Sequence, residues 1–111
     1  DVLTFHVPAT PLTKGMFGER EIAQMQNHAL IINTSRGSVV DFEGTCAAVT
    51  ANRLGGFAAD VFPFEPDDLS RFHDQARLYF TPHIGGNSQE AVLAMGRAAI
   101  QKLIAWFGAK P

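Results

Sequence analysis

Three residues carry chemistry that can be followed through this chain: Arg36 in "NTSRGSVVD", Glu65 in "FPFEP" and His83 in "TPHIGGN". An arginine presents a planar, permanently charged fork suited to bidentate binding of a carboxylate. A histidine gives and takes a proton near neutral pH, which makes it the natural general acid/base. A glutamate on the second ring nitrogen of that histidine would fix its tautomer and stabilise the imidazolium. No nucleophile accompanies the three, which argues against hydrolysis. The set favours proton transfer coupled to a step performed by a bound cofactor, since hydride transfer is chemistry no side chain can do.

Each residue also has a plainer reading. An arginine after a strand fits a surface salt bridge, a glutamate before proline fits a solvated loop, and a histidine after proline fits a turn satisfied by backbone. Gly37 and the Asn/Thr/Ser context of Arg36 favour function there. His28 and His73 read as loop histidines. Cys46, inside a helix and without a nearby base, reads as a small core filler. No spacing of His, Cys or Asp suggests a metal.

The elements that must position these residues alternate along the chain. Residues 2–7 read as a strand, followed by the Pro- and Thr-rich loop "PATPLTKG". A short helix is expected near residues 19–25. "ALIIN" (29–33) is a continuous apolar run of the kind a strand buried on both faces shows. Asp41 is the expected N-cap of a helix running to about Asn52, with "NRLGG" as its stop. "GFAADVF" (56–62) and "RLYFT" (77–81) are two further strands. The last segment reads as one long helix, opened by a capping box of Asn87 and Glu90 and stopped at Gly108. Val92, Met95, Ala99, Leu103 and Trp106 recur at helical spacing, with Ile100, Ile104 and Phe107 widening the stripe, and core packing is the expected use. A stripe this wide also suggests a partner beyond the four strands. Strands alternating with helices predict an α/β fold with a parallel sheet and helices on its faces.

In open parallel sheets, ligands bind beyond the carboxyl ends of the strands. The unusual polar residues collect at those ends: His6 and Pro8, Thr34 to Gly37, Asp60 to Glu65, and His83 to Gly86. Four strand ends marked in this way predict a site.

Composition narrows the alternatives. The chain has 111 residues, 46% hydrophobic and 18% charged, with a net charge of −2, which suits one soluble globular domain. A balance that is not basic speaks against a nucleic-acid partner. One cysteine excludes an internal disulfide framework and fits a reducing compartment. No apolar run approaches the roughly 18 residues of a membrane span, and no signal-peptide pattern is visible, so the cytoplasm is the default. The chain opens inside a strand pattern without an initiator Met, which reads as a piece of a longer protein.

The motifs "HVPATPLTKGMFG", "INTSRGSVVD", "AADVFPFEP" and "TPHIGGNSQEA", in this order and spacing, resemble the D-isomer-specific 2-hydroxyacid dehydrogenases, which use a nicotinamide cofactor. The resemblance runs from Phe5 to about Phe107. It implies Arg36, Glu65 and His83 as catalytic residues, with Arg36 at the substrate carboxylate. It implies contacts to NAD (NADP not excluded) at His6, Val7 and Pro8, at Thr34, Ser35 and Arg36, at Asp60 toward the carboxamide, and at His83, Ile84, Gly85 and Gly86. It also implies the second half of a Rossmann-type, doubly wound parallel sheet, with a helix over about residues 87–107 leading back to a substrate domain. The full-length protein is then a homodimeric oxidoreductase acting on a 2-hydroxy or 2-oxo acid of the glyoxylate, hydroxypyruvate or phosphoglycerate type. Glu65 speaks against the formate-oxidising branch, which resembles the others except at that position.

The sequence departs from the family in three places. Phe42 stands where an acidic residue is usual after "VVD", at a position expected on a helix surface. Asn87 stands for the usual Ser or Thr after the glycines. No G-x-G-x-x-G turn and no residue that reads the adenosine ribose are found here. Two rival readings follow. Co-repressors of the same fold keep the three residues and use the cofactor as a signal, and a truncated chain could be an inactive structural core.

Overall fold

Four short parallel strands form the sheet of the computed structural model, which describes residues 1–64, 69, 70, 72 and 75–108. The strands are β1 (Val2–Phe5), β2 (Leu30–Asn33), β3 (Gly56–Ala59) and β4 (Leu78–Phe80). They lie side by side in chain order. Between them run α1 (Glu19–Ile22), a 3₁₀ turn over Gly37–Val39, and α2 (Phe42–Thr50); α3 (Gln89–Gly108) follows β4. The α/β alternation matches expectation, while every strand is shorter than its apolar run.

Register sets what comes next. Phe5 pairs with Asn33, Asn33 with Ala59, and Ala59 with Phe80. His6, Thr34, Asp60 and Thr81 therefore each follow the last paired residue of their strand. The ladder extends one step further there, with the Asp60 amide bonded to the Asn33 carbonyl and the Thr81 amide to the Ala59 carbonyl.

One face of the sheet makes the core. Phe5, Ile31, Asn33, Phe57 and Ala59 are buried, whereas Leu30 and Tyr79 are exposed and Ile32 and Ala58 half-buried. This corrects the expectation that "ALIIN" is buried on both faces. Strands in sequential order with crossovers of one hand carry those crossovers on the same side, so among the described residues no crossover helix lies over the other face.

Phe42 overturns a second expectation. It is 3% exposed and stands among the rings of Phe57, Phe62, Phe64, Phe72 and Phe80, with centroids 5.1–5.6 Å away. As the first residue of α2, it turns its ring inward over β3 and β4. Asp41 caps α2 as expected, accepting the Gly44 amide at 3.1 Å. The stop falls at Asn52, whose φ of 59° is the left-handed geometry of a helix terminus. Cys46 is buried in α2, as a core filler should be.

Two expectations about α3 are corrected. Ser88 is its cap, since its hydroxyl takes the Ala91 amide at 3.1 Å, while the Asn87 amide is held by the Ile84 carbonyl. Asn87 is thus engaged in the preceding turn. Gly108 is the last helical residue instead of the position after the helix. The apolar stripe is largely open to solvent: Val92, Met95, Ile100, Leu103, Ile104, Trp106 and Phe107 are all more than half exposed, Trp106 at 63%. Among the described residues, no helix is long and apolar enough to cross a membrane.

Candidate active site at the carboxyl edge of the sheet

β2 ends in an asparagine that the core encloses. Asn33 is 1% exposed, and its Oδ1 accepts the Ser35 amide at 3.1 Å and the Ser35 hydroxyl at 2.8 Å. Its Nδ2 donates to the Arg36 carbonyl at 3.0 Å. Arg36 has extended backbone, and its Nη1 donates to the Ser35 carbonyl at 2.7 Å. Among the described residues it pairs with no carboxylate, so the surface salt-bridge reading finds no partner there. Gly37 lets this loop approach the next one, because a Cβ at that position would overlap the Phe62–Pro63 peptide. The loops after β2 and β3 are thereby locked together.

Asp60 joins β3 to the loop after β4. It is 8% exposed. Its Oδ1 accepts the Thr81 hydroxyl at 2.6 Å and the Ile84 amide at 2.8 Å; its Oδ2 accepts the Gly85 amide at 2.8 Å. Burial works against the charge of this carboxylate. The Thr81 hydroxyl, the two amides and the nearby His83 ring outweigh it and hold the carboxyl below its usual value.

His83 lies inside this clamp, between Thr81 and Ile84. Its φ is 55°, a left-handed conformation uncommon for a side-chain-bearing residue, and its amide bonds the Thr81 carbonyl at 2.9 Å. Its side chain is exposed to solvent.

An open cavity of about 540 Å³ runs along this edge, with Thr34, Asp60 and Thr81 in its wall beside Ile32, Ala58 and Tyr79. Arg36 and His83 stand on the neighbouring loops, outside that lining. His6, Val7 and Pro8 follow β1 at the far side of the sheet. There the His6 ring meets the Thr4 hydroxyl at 2.9 Å, Val7 packs on the core, and the Pro8 carbonyl accepts the Thr13 hydroxyl. The structure brings the predicted residues of β2, β3 and β4 to adjacent loops; among the described residues, hydrogen bonds tie Asp60 to Ile84 and Gly85 across two loops, and Arg36 to Ser35 within one. Glu65 and His73 lie outside the described residues. Among those described, no three His, Cys, Asp or Glu side chains cluster as a metal site would need.

Asn33 and Thr81 belong to this edge although neither stood out among the sequence candidates. The available signal was a polar residue closing an apolar strand run, "LIIN" and "LYFT", where an uncompensated polar group would be costly to bury.

Comparison with known proteins identifies the family and the fold. The family model for the D-isomer specific 2-hydroxyacid dehydrogenase NAD binding domain matches residues 1–85. D-3-phosphoglycerate dehydrogenase of Escherichia coli K12 is 43% identical over 109 residues, covering 94% of this chain and 27% of that protein. D-3-phosphoglycerate dehydrogenase 1 of Saccharomyces cerevisiae is 39% identical over 109 residues, covering 86% of this chain and 23% of that protein. The chain thus spans about a quarter of the length of the curated relatives it matches. Among solved structures, the NADPH-dependent glyoxylate/hydroxypyruvate reductase of Sinorhizobium meliloti, in complex with NADP and malonate, superposes with a TM-score of 0.88 at 27% identity, over 98% of this chain and 34% of that one.

The residues present suit the nicotinamide end of such a cofactor. Asp60 Oδ2 receives a single N–H and keeps acceptor capacity toward the cavity edge. Gly86 has open space where a Cβ would stand, so a ligand can approach its backbone closely. With its Rossmann-type parallel sheet and the four strand-end motifs on it, the chain belongs to the NAD-binding domain family of the D-isomer specific 2-hydroxyacid dehydrogenases.

Proposed function

We propose that the full-length protein is an NAD(H)-dependent dehydrogenase interconverting a small D-2-hydroxy acid and its 2-oxo acid, of the glyoxylate, hydroxypyruvate or phosphoglycerate type. One observation carries this reading. Arg36 and His83 stand on the loops after β2 and β4, on either side of Asp60, at one carboxyl edge. An anion fork and a proton donor flanking the nicotinamide end are what reduction of a 2-oxo acid requires.

The roles follow from the groups. Arg36, steadied through Nη1 on the Ser35 carbonyl, keeps its other N–H donors for the substrate carboxylate. His83 gives a proton to the oxygen on C2 during reduction and takes it back during oxidation. Glu65 holds the second ring nitrogen and stabilises the imidazolium. Asp60 takes the carboxamide N–H while it anchors the 81–86 loop, with Thr34, Ser35 and Gly86 around the same end and His6, Val7 and Pro8 at its outer side. The nicotinamide cofactor, when bound, supplies the hydride.

In this reading residues 1–111 form the C-terminal part of the cofactor domain. The uncovered sheet face takes the rest of that domain, and α3 leads back to the substrate domain. The protein works as a cytoplasmic homodimer. The test is steady-state turnover of the full-length protein on a panel of 2-oxo acids with NADH and with NADPH. Oxidation of the reduced cofactor by at least one of glyoxylate, hydroxypyruvate or phosphohydroxypyruvate is expected. Tight cofactor binding with no turnover on any of them would favour the co-repressor reading instead.

A further inference from the structure

We propose that Asn33 is a positioning residue for Arg36: its side-chain amide holds the Ser35 amide and the Arg36 carbonyl, on either side of the Ser35–Arg36 peptide, so that the guanidinium meets the substrate carboxylate in one geometry. The inference rests on Arg36 as the carboxylate anchor and adds what holds it there.

The hydrogen bonds fix the amide's orientation. A backbone N–H can only donate, so the Asn33 atom facing the Ser35 amide is Oδ1, and Nδ2 must face the Arg36 carbonyl. Oδ1 also receives the Ser35 hydroxyl. All three bonds of this enclosed side chain therefore go to two consecutive residues. Those residues in turn orient the guanidinium, because the Ser35 carbonyl that accepts Arg36 Nη1 belongs to the peptide lying between the two backbone groups that the asparagine holds. Ser35 is itself buried and Arg36 exposed, so the chain of contacts runs from the core outward and ends at the charged fork. A long arginine side chain has several rotatable bonds. Tying its root and one of its nitrogens to a fixed peptide reduces the freedom that substrate binding would otherwise have to remove. An asparagine needed only to close a strand could equally turn its side chain to neighbouring strands; here the side-chain hydrogen bonds all go to the arginine loop.

The experiment is a double-mutant cycle in the full-length enzyme with Asn33→Asp and Arg36→Lys. Aspartate keeps the shape and the acceptor for Ser35 and loses the donor to the Arg36 carbonyl. The expected result is a fall of about 10- to 100-fold in kcat/KM for the oxo acid, with the KM for the reduced cofactor within about twofold and the fold intact by melting. In the Arg36→Lys background the same change should cost less than about threefold, because residues acting as one unit are not additive. Ser35→Ala removes a single hydroxyl and gives a milder second cycle, with the same non-additivity at roughly three- to tenfold, should Asn33→Asp fail to fold. Additive losses in both cycles, with Arg36→Lys itself harmful, would overturn the role of Asn33 and leave that of Arg36 standing. An Arg36→Lys enzyme with unchanged kcat/KM would overturn both.

Discussion

The Asp60 carboxylate accepts the Thr81 hydroxyl at 2.6 Å, across the seam between the loops after β3 and β4. The same carboxylate holds the Ile84 and Gly85 amides, so the clamp brackets His83 from both sides. A left-handed residue between two fixed points has little freedom to relax. The geometry of the proposed proton donor thus depends on the charge of an aspartate.

That charge sets a pH dependence. Burial raises the Asp60 pKa, but the Thr81 hydroxyl, the two amides and His83 bring it below the usual value, so folding favours the ionised form. The stabilisation is complete above the unfolded-state value of about 3.9 and is lost as pH falls through the lower folded value. In an NMR titration the Ile84 and Gly85 amide shifts should move together, with a midpoint below about 3.9. Thr81→Val should raise that midpoint and cost about 1–2 kcal/mol. A wild-type midpoint at or above the usual aspartate value would contradict the clamp.

Phe42 should behave as a core residue. Its ring touches five other phenylalanine rings, two of them, Phe62 and Phe64, on the segment leading to Glu65. Phe42→Ala should cost about 3–5 kcal/mol in denaturant unfolding. Phe42→Glu, which restores the residue type usual at this position in the family, should be at least as damaging here, because it buries a carboxylate among rings. Gly37→Ala, which drives a methyl into the Phe62–Pro63 peptide, should cost about 1–3 kcal/mol. A neutral Phe42→Glu would show that the aromatic cluster is not packed as described.

The order of elements and the strand-end positions of the candidate residues were legible in the sequence because they depend on local patterns. Apolar runs ended by polar, Gly- or Pro-marked residues put Thr34, Asp60 and His83 beyond strand ends, and Asp41 announced its helix. What was misread depended on tertiary contacts. No periodicity within a nine-residue helix reveals that Phe42 meets rings from residues 57 to 80. The capping box placed on Asn87 and Glu90 failed because the Ile84 carbonyl takes the Asn87 amide that Glu90 would need, and the Ser88 hydroxyl caps the helix instead. The stripe on α3 was correctly read as helical, but its packing partner could not be read from spacing alone.

The 111-residue chain on its own should bind NADH weakly. No G-x-G-x-x-G turn stands in its sequence, and that turn with its helix N-terminus provides most of the grip on a dinucleotide pyrophosphate. It should also self-associate, since the α3 stripe from Val92 to Phe107 and the sheet face bearing Leu30 and Tyr79 are exposed. Calorimetry showing micromolar NADH affinity would contradict the first expectation. Sedimentation showing a clean monomer at high concentration would contradict the second.

The most direct test of the proposed chemistry is the turnover number of the full-length protein with His83→Ala, measured on its best 2-oxo acid at saturating reduced cofactor. A proton donor in the rate-determining chemistry contributes at least about 100-fold, so kcat should fall by that factor or more while cofactor affinity is kept. An unchanged kcat would remove His83 from the mechanism and, with it, the reading of this sheet edge as an active site.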